Sequence, residues 1–417
     1  MRKRKLLAAL GCVLLLSTTL PVGTTVAQGS PQVVAEAADA AFELQDGDRV
    51  VFVGNSLFEN ELPYGYLEYA LTTRWPHRNV TYRNIGWSGD TVWGEARSYI
   101  SSPSTYDLLI EQLTKAEPTI VFIAYGANEA LEGEAGLPHF KQGLNQLLDK
   151  VDQLGAKAIL LSPVPVIAAG TTENLKERNA MLELYAAAIA KTASERGLRF
   201  IDVFKPLLER RKHATLSDNG YHLNENGYYH LAATLEQGLG LAPRTNESVR
   251  LNVSKHAVEA TGPAKVLDAG KDSGIIKFSI DEAFLPLPLP EQEGATANNA
   301  RVFRISGLKR GKYTLSTDNF QMITASANEW NEGIEIPLGA SFSQASQLRE
   351  KIVKKNELFF HQYRPLNRTY IVGFRSHEQG RHAKGLEELS VIITWLEGQI
   401  ARDRVPASKV YQLTRTR

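Results

Sequence analysis

The sequence predicts an α/β protein in which a parallel sheet is covered by helices on both faces, followed by a small β-rich, sandwich-like module and a C-terminal helical pair. Three observations carry this. Short apolar runs recur between residues 49 and 204, bounded by turn residues and separated by amphipathic stretches. Strands buried on both faces read as such continuous apolar runs. After Gly240 the pattern changes to alternating apolar and polar residues with frequent turn signals. From residue 343 onward, apolar residues return to three- and four-residue spacing, the period of an amphipathic helix.

The elements follow in order. Arg2, Lys3, Arg4 and Lys5 precede a mostly apolar run from Leu6 to Leu20 and a small-residue stretch at Thr24–Ala27. This reads as a secretory signal over 1–27. Its apolar run of about 15 residues falls short of the roughly 20 that a membrane span needs. The expectation is therefore an exported protein, periplasmic or extracellular, with no stable membrane insertion after cleavage near Gln28. Residues 28–46 are Ala-rich and polar and read as a linker. Strands are predicted at 49–54, 80–85, 119–124, 158–163 and 199–204, with helices at 140–154 and 175–196. These define a domain over 47–243. A β-rich module is expected over 244–343. Within it, Val302–Ile305 and Tyr313–Ser316 flank Gly307–Gly311 as a hairpin signal. The alternating Leu-Pro run at 285–290 is extended, since proline excludes helix interior. Amphipathic helices at 343–363 and 384–402 form a C-terminal helical hairpin (344–405), which must dock on the α/β domain or form an oligomer contact. Residues 406–417 read as a tail.

Composition narrows the function. At 417 residues, two or three domains are expected. The net charge of +1 gives no electrostatic case for nucleic acid. The single cysteine, Cys12, lies inside the signal, so the mature chain has no disulfide or thiol chemistry. The apolar run continues past Cys12, which argues against a lipidation site there. His213, His222 and His230 lack metal-ligand spacing, and no phosphate-binding glycine loop is present, so neither metal nor cofactor is expected. No Gly-x-Ser-x-Gly elbow occurs either.

Four short blocks carry chemistry. Gly54-Asn55-Ser56-Leu57, Asn84-Ile85-Gly86-Trp87-Ser88-Gly89-Asp90-Thr91 and Tyr125-Gly126-Ala127-Asn128-Glu129 each follow a predicted strand. Ser217-Asp218-Asn219-Gly220-Tyr221-His222-Leu223-Asn224 lies near the end of the α/β region. Ligands of parallel sheets bind beyond the carboxyl ends of the strands. A serine hydroxyl becomes nucleophilic when an imidazole takes its proton, and His222 can supply that base. The tetrahedral intermediate needs preorganised N–H donors, which the Gly89 backbone and the Asn128 amide can provide. Asp90 and Glu129 read as turn braces. Trp87, Trp93 and Tyr125 flank the blocks and suit either a sugar or acyl pocket or core packing.

In this order the blocks resemble the signature of SGNH/GDSL hydrolases, over about residues 48–240. The resemblance implies a flavodoxin-like three-layer α/β/α domain and a serine ester hydrolase. It assigns Ser56 as nucleophile, His222 as base, and Gly89 and Asn128 as the oxyanion hole. The stretches Gly86–Arg97 and His377–Gly380 resemble exported SGNH proteins of planctomycete-type bacteria. There are two departures. Asn55 replaces the family's aspartate beside the serine. Asn219 stands three residues before the histidine, where the orienting aspartate belongs, while Asp218 stands four before. In serine proteases an asparagine in the orienting position costs about 10⁴ in rate. Either Asp218 turns inward or Asn219 offers its carbonyl oxygen; otherwise the enzyme is slow or inactive. The expected activity is deacetylation of carbohydrate or of another small acyl ester. A glycan- or surface-binding protein on a catalytically weak scaffold, and a lipid esterase or thioesterase, are the alternatives.

Overall fold

The computed structural model describes residues 42–97, 104–167, 173–244, 248–255, 257–269, 274–290, 301–317, 320–336, 340–365, 377 and 381–416. The segment read as an export signal and the linker up to residue 41 lie outside the described residues, as do residues 378–380 of the His377 stretch.

Five parallel strands form the first sheet: β1 (Arg49–Gly54), β2 (Thr81–Asn84), β3 (Ile120–Ala124), β4 (Lys157–Leu161) and β5 (Arg199–Ile201), in the order β2-β1-β3-β4-β5. Side chains alternate across the sheet. Val50 and Phe52 enter one core, and Val51 and Val53 the other. Helices α2 (Tyr66–Arg74) and α7 (Glu225–Gly238) cover the first face. Helices α3 (Thr105–Lys115), α4 (Leu137–Gln153) and α5 (Glu173–Glu195) cover the second. Both faces are thus buried, which is why the strands read as unbroken apolar runs. The strand order reverses between β1 and β3, and a crevice opens there at the carboxyl ends.

The β module is built from two sheets. β6 (Val249–Val253), β7 (Val258–Thr261), β10 (Arg301–Ser306) and β13 (Ile334–Ile336) make one, in the order β13-β10-β6-β7. β8 (Ala264–Ala269), β9 (Ile275–Ile280), β11 (Lys312–Thr317), β12 (Phe320–Ser326) and β14 (Lys409–Thr416) make the other, in the order β12-β11-β14-β9-β8. Phe278, Phe303, Leu315, Trp330 and Leu413 share the core of this module. Two expectations are corrected here. The strands flanking Gly307–Gly311 do not form a hairpin: β10 pairs with β6 and β13, whereas β11 pairs with β12 and β14. Gly307, at φ +77°, turns the chain from one sheet to the other, and a Cβ there would lie 1.9 Å from the Val253 carbonyl oxygen. Residues 409–416 are no tail, because β14 is the middle strand of its sheet and bonds to both β9 and β11.

The helical pair α9 (Ala340–Tyr363) and α10 (Arg381–Asp403) docks beside edge strand β2. Leu348, Ile352 and Ile400 complete one α/β core, and Phe359 and Ile393 the other. Polar ties fix the register. Buried Lys355 pairs with Glu68 at 2.7 Å, and Arg83 with Glu397 at 2.5 Å. The Leu-Pro run is extended and buried: Leu285 and Leu287 enter the α/β core, and the Tyr69 hydroxyl donates to the Pro286 carbonyl at 2.6 Å. Among the described residues no helix is long and apolar enough to cross a membrane.

Candidate active site

Ser56 opens α1 (Ser56–Glu59), directly after β1. Gly54 is required by crowding, since a Cβ would lie 2.5 Å from the Ala124 carbonyl oxygen at the end of β3. Asn55 braces the turn by accepting the Leu57 amide on its Oδ1 at 3.1 Å. An aspartate would do the same, so the first departure from the family pattern leaves local geometry intact.

The second and third blocks hold each other. Gly89, at φ +80°, sits exposed on the loop after β2. Its neighbour Asp90 is fully buried. Asp90 Oδ2 accepts from Arg97 at 2.8 Å and from the Tyr125 hydroxyl at 2.9 Å. The Asn128 amide donates to the Asp90 carbonyl at 2.7 Å. Glu129 bridges the same loops, accepting the Val92 amide at 2.9 Å and the Gly126 amide at 2.8 Å. Burial pushes the Glu129 carboxyl up to about 7. The residues that bear Gly89 and Asn128 are therefore one cross-braced unit.

The fourth block is a tight loop before α7. Asn219 Oδ1 accepts both the Tyr221 and His222 amides at 2.9 Å. That oxygen is tied to the loop backbone by both contacts. Asp218 Oδ1 accepts from the Asn224 side-chain Nδ2 at 2.7 Å. The His222 imidazole is exposed, and the residue's hydrogen bonds run through its backbone. Asp218 and His222 border a common cavity of about 430 Å³, which Glu59, Tyr64 and Phe360 also line.

Ser56, Asn128 and His222 come together in a second, smaller cleft of about 140 Å³, bordered also by Tyr125, Arg178 and Tyr221. The two cavities meet at His222 and Leu223. Of the three aromatic residues flanking the blocks, Tyr125 borders the small cleft. Trp87 and Trp93 line neither cavity. Trp87 is buried, with the Arg364 guanidinium 3.7 Å from its ring centroid. Trp93 stacks on His139 at 4.8 Å. Both tryptophans pack, one against a guanidinium and one against an imidazole. Pro163, Val164 and Pro165, just beyond β4, form a wall that the sequence reading missed. The rule that ligands sit past strand ends would have found it. Arg178 and Arg364 had no local signal. Among the described residues no group of three or more His, Cys, Asp or Glu could hold a metal ion.

A hydroxyl, an imidazole and an amide donor gathered at the switch point of a β2-β1-β3-β4-β5 parallel sheet are the parts acyl transfer requires. Residues 48–230 match the GDSL-like lipase/acylhydrolase family model, a match that supports the class of ester-bond hydrolase. No curated protein matches the sequence. Among solved structures, a gut microbial diltiazem-metabolizing enzyme is similar, with 17% identity and a TM-score of 0.70 over 91% of this chain and 100% of that one. The shared fold thus extends through the β module and helical pair. An acetylxylan esterase from Geobacillus stearothermophilus aligns over 48% of this chain and 98% of its own, at 19% identity and a TM-score of 0.39.

Proposed function

We propose that the protein is a serine esterase that removes short acyl groups, with acetyl esters of carbohydrate as its substrate class. One observation carries this: Ser56, Asn128 and His222 border the same cleft of about 140 Å³. That volume is well below the roughly 300–1,000 Å³ of ordinary ligand pockets, so it suits a small acyl group and not a long chain. This weighs against a lipid esterase. The adjoining 430 Å³ cavity, lined by Asn60, Asp218, Asn219 and Asn224, suits a hydroxyl-rich alcohol.

In this reading Ser56 Oγ attacks the ester carbonyl carbon while His222 takes its proton. Asn128 and the Gly89 amide receive the negative charge that develops on the carbonyl oxygen. The C–O bond to the alcohol breaks, and the alcohol leaves with the proton from His222. Water then attacks the acyl carbon while the imidazole takes its proton; the acyl–Oγ bond breaks, the imidazole returns that proton to Ser56 Oγ, and the acid leaves. In this reading Asp218 supports the imidazolium, since the Asn219 oxygen is bound to the loop backbone. Catalytic hydrogen bonds in free sites are commonly loose and tighten around substrate.

Ser56→Ala should reduce hydrolysis of p-nitrophenyl acetate at least about 10³-fold while leaving the melting temperature in place. Unchanged turnover would overturn the proposal. The commitment of Asn219 to the backbone favours a second reading, a glycan- or surface-binding protein on a slow scaffold. Glycan binding without labelling of Ser56 by a fluorophosphonate would select it.

A further inference from the structure

Among the described residues lining the small cleft, Arg178 is the only one carrying a fixed charge, and no carboxylate is present. Its Nη2 donates to the Ala127 carbonyl at 2.6 Å. Other arginines around the domain face carboxylates: Arg97 faces Asp90 at 2.8 Å, Arg349 faces Glu225 at 2.7 Å, and Arg364 faces Glu59 at 2.9 Å. Arg178 has none among the described residues. It is half-buried, and its desolvation without a counter-charge lowers its pKa from the ordinary arginine value. Its placement is fixed by the next residue, whose Asn179 side chain accepts the Val166 amide at 2.8 Å and donates to the Val166 carbonyl at 3.1 Å. A planar cation held this way, with donors left over beside a nucleophile, matches a carboxylate.

We propose that Arg178 binds a carboxylate on the substrate: the ester cleaved at Ser56 carries an ionised carboxyl group, on its acyl or its alcohol part, that pairs with this guanidinium. The proposal rests on the reading of the cleft as an ester-hydrolysing site and names the substrate class within it. It makes Arg178 a specificity residue. The pairing should favour charged over neutral esters by about tenfold, the size of one charge-assisted hydrogen bond.

The test compares kcat/KM for two matched pairs with the full chain and with Arg178→Met and Arg178→Lys. One pair is p-nitrophenyl hemisuccinate against p-nitrophenyl acetate, which puts the carboxylate on the acyl part. The other is an acetylated galacturonic acid methyl glycoside against the acetylated galactose counterpart, which puts it on the alcohol. A preference of about tenfold or more in one pair, collapsing toward one in Arg178→Met and less so in Arg178→Lys, is the expected result and identifies which part bears the charge. Ratios near one in both pairs overturn the proposal, and turnover of the neutral esters then leaves the esterase reading standing. A preference that survives Arg178→Met also overturns it. Equal losses on charged and neutral esters assign Arg178 to holding the Ala127 loop and overturn it as well. Absence of turnover on all four esters, together with no fluorophosphonate labelling of Ser56, is instead the failure of the esterase reading itself. If Arg178→Met does not fold, competitive inhibition of the native protein decides: succinate should inhibit at about tenfold lower concentration than succinamide, and equal inhibition overturns the proposal.

Discussion

The residue behind a catalytic histidine is ordinarily a carboxylate because the imidazolium needs a counter-charge and the neutral ring needs its tautomer fixed. Here the usual position holds Asn219, whose carbonyl oxygen accepts two backbone amides of its own loop. Sequence alone left Asp218 and Asn219 as alternatives, because a one-residue shift within a loop depends on backbone geometry. In the structure Asn219 shapes the loop, while Asp218 accepts from the Asn224 side-chain amide and borders the cavity that His222 also lines; the proposed mechanism gives Asp218 the supporting role. The two substitutions should therefore act differently. Asp218→Asn should lower kcat by about 10²–10⁴ with little change in melting temperature, in line with losses at triad carboxylates. Asn219→Ala should lower the melting temperature through loss of two loop hydrogen bonds, each worth about 1 kcal/mol. Steady-state kinetics with thermal denaturation distinguishes the two, and a larger kinetic loss in Asn219→Ala would reverse the assignment.

At the scale of elements, the helical pair reaches the catalytic loops. Arg364, just past α9, bonds to Glu59 at 2.9 Å and lies over the Trp87 ring, while the Tyr363 hydroxyl donates to the Gly86 carbonyl at 3.0 Å. Glu59 also accepts the Ser88 amide. The loop bearing Gly89 is thus clamped from outside its own domain. Arg364→Ala should lower kcat for p-nitrophenyl acetate by about tenfold, since a cation–π contact and a partly buried ion pair together hold on the order of 1–2 kcal/mol. KM should change less, and tryptophan fluorescence should shift as Trp87 loses its cover. An unchanged kcat would show that the loop holds itself. The five parallel strands were legible in the sequence because each is a local apolar run ending in turn residues, and the blocks after β1 and β3 carry the Ser56 and Asn128 that border the small cleft. This clamp was not legible: nothing in Arg364-Pro365 marks a partner at Trp87, 277 residues away. The same limit hid the split between β10 and β11, whose glycine-flanked loop has the composition of a hairpin yet spans two sheets.

Across the whole molecule, buried carboxyls set the response to pH. Glu61 is buried, accepts the Leu67 amide at 2.9 Å, and is pushed up by desolvation to about 8. Glu129 is pushed up to about 7 for the same reason. Both are raised, so between their ordinary value of 4.5 and these values the native state holds protons that the unfolded chain has released. The stability these two groups contribute therefore falls as pH rises through this range. The melting temperature should drop between about pH 6.5 and 8, above the window in which buried His230, pushed down to about 4, acts in the opposite direction, and Glu61→Gln should flatten that slope. A melting temperature that climbs steadily over this range would contradict the burial of Glu61. Packing is equally non-local. Leu413 is fully buried in the sandwich, and Leu413→Ala should destabilise the module by about 2–5 kcal/mol, measurable by urea denaturation.

The position of β14 has a consequence for synthesis. Its neighbours β9 and β11 are made long before it, and at roughly 5–20 residues per second they wait several seconds for their common partner. Until residues 409–416 emerge, both present unpaired edges toward the gap where the middle strand belongs, and such edges are templates for pairing with another chain. The five-stranded sheet is complete by residue 201, but its two cores wait for α9 and α10, and the sandwich stays open to wrong partners longer still.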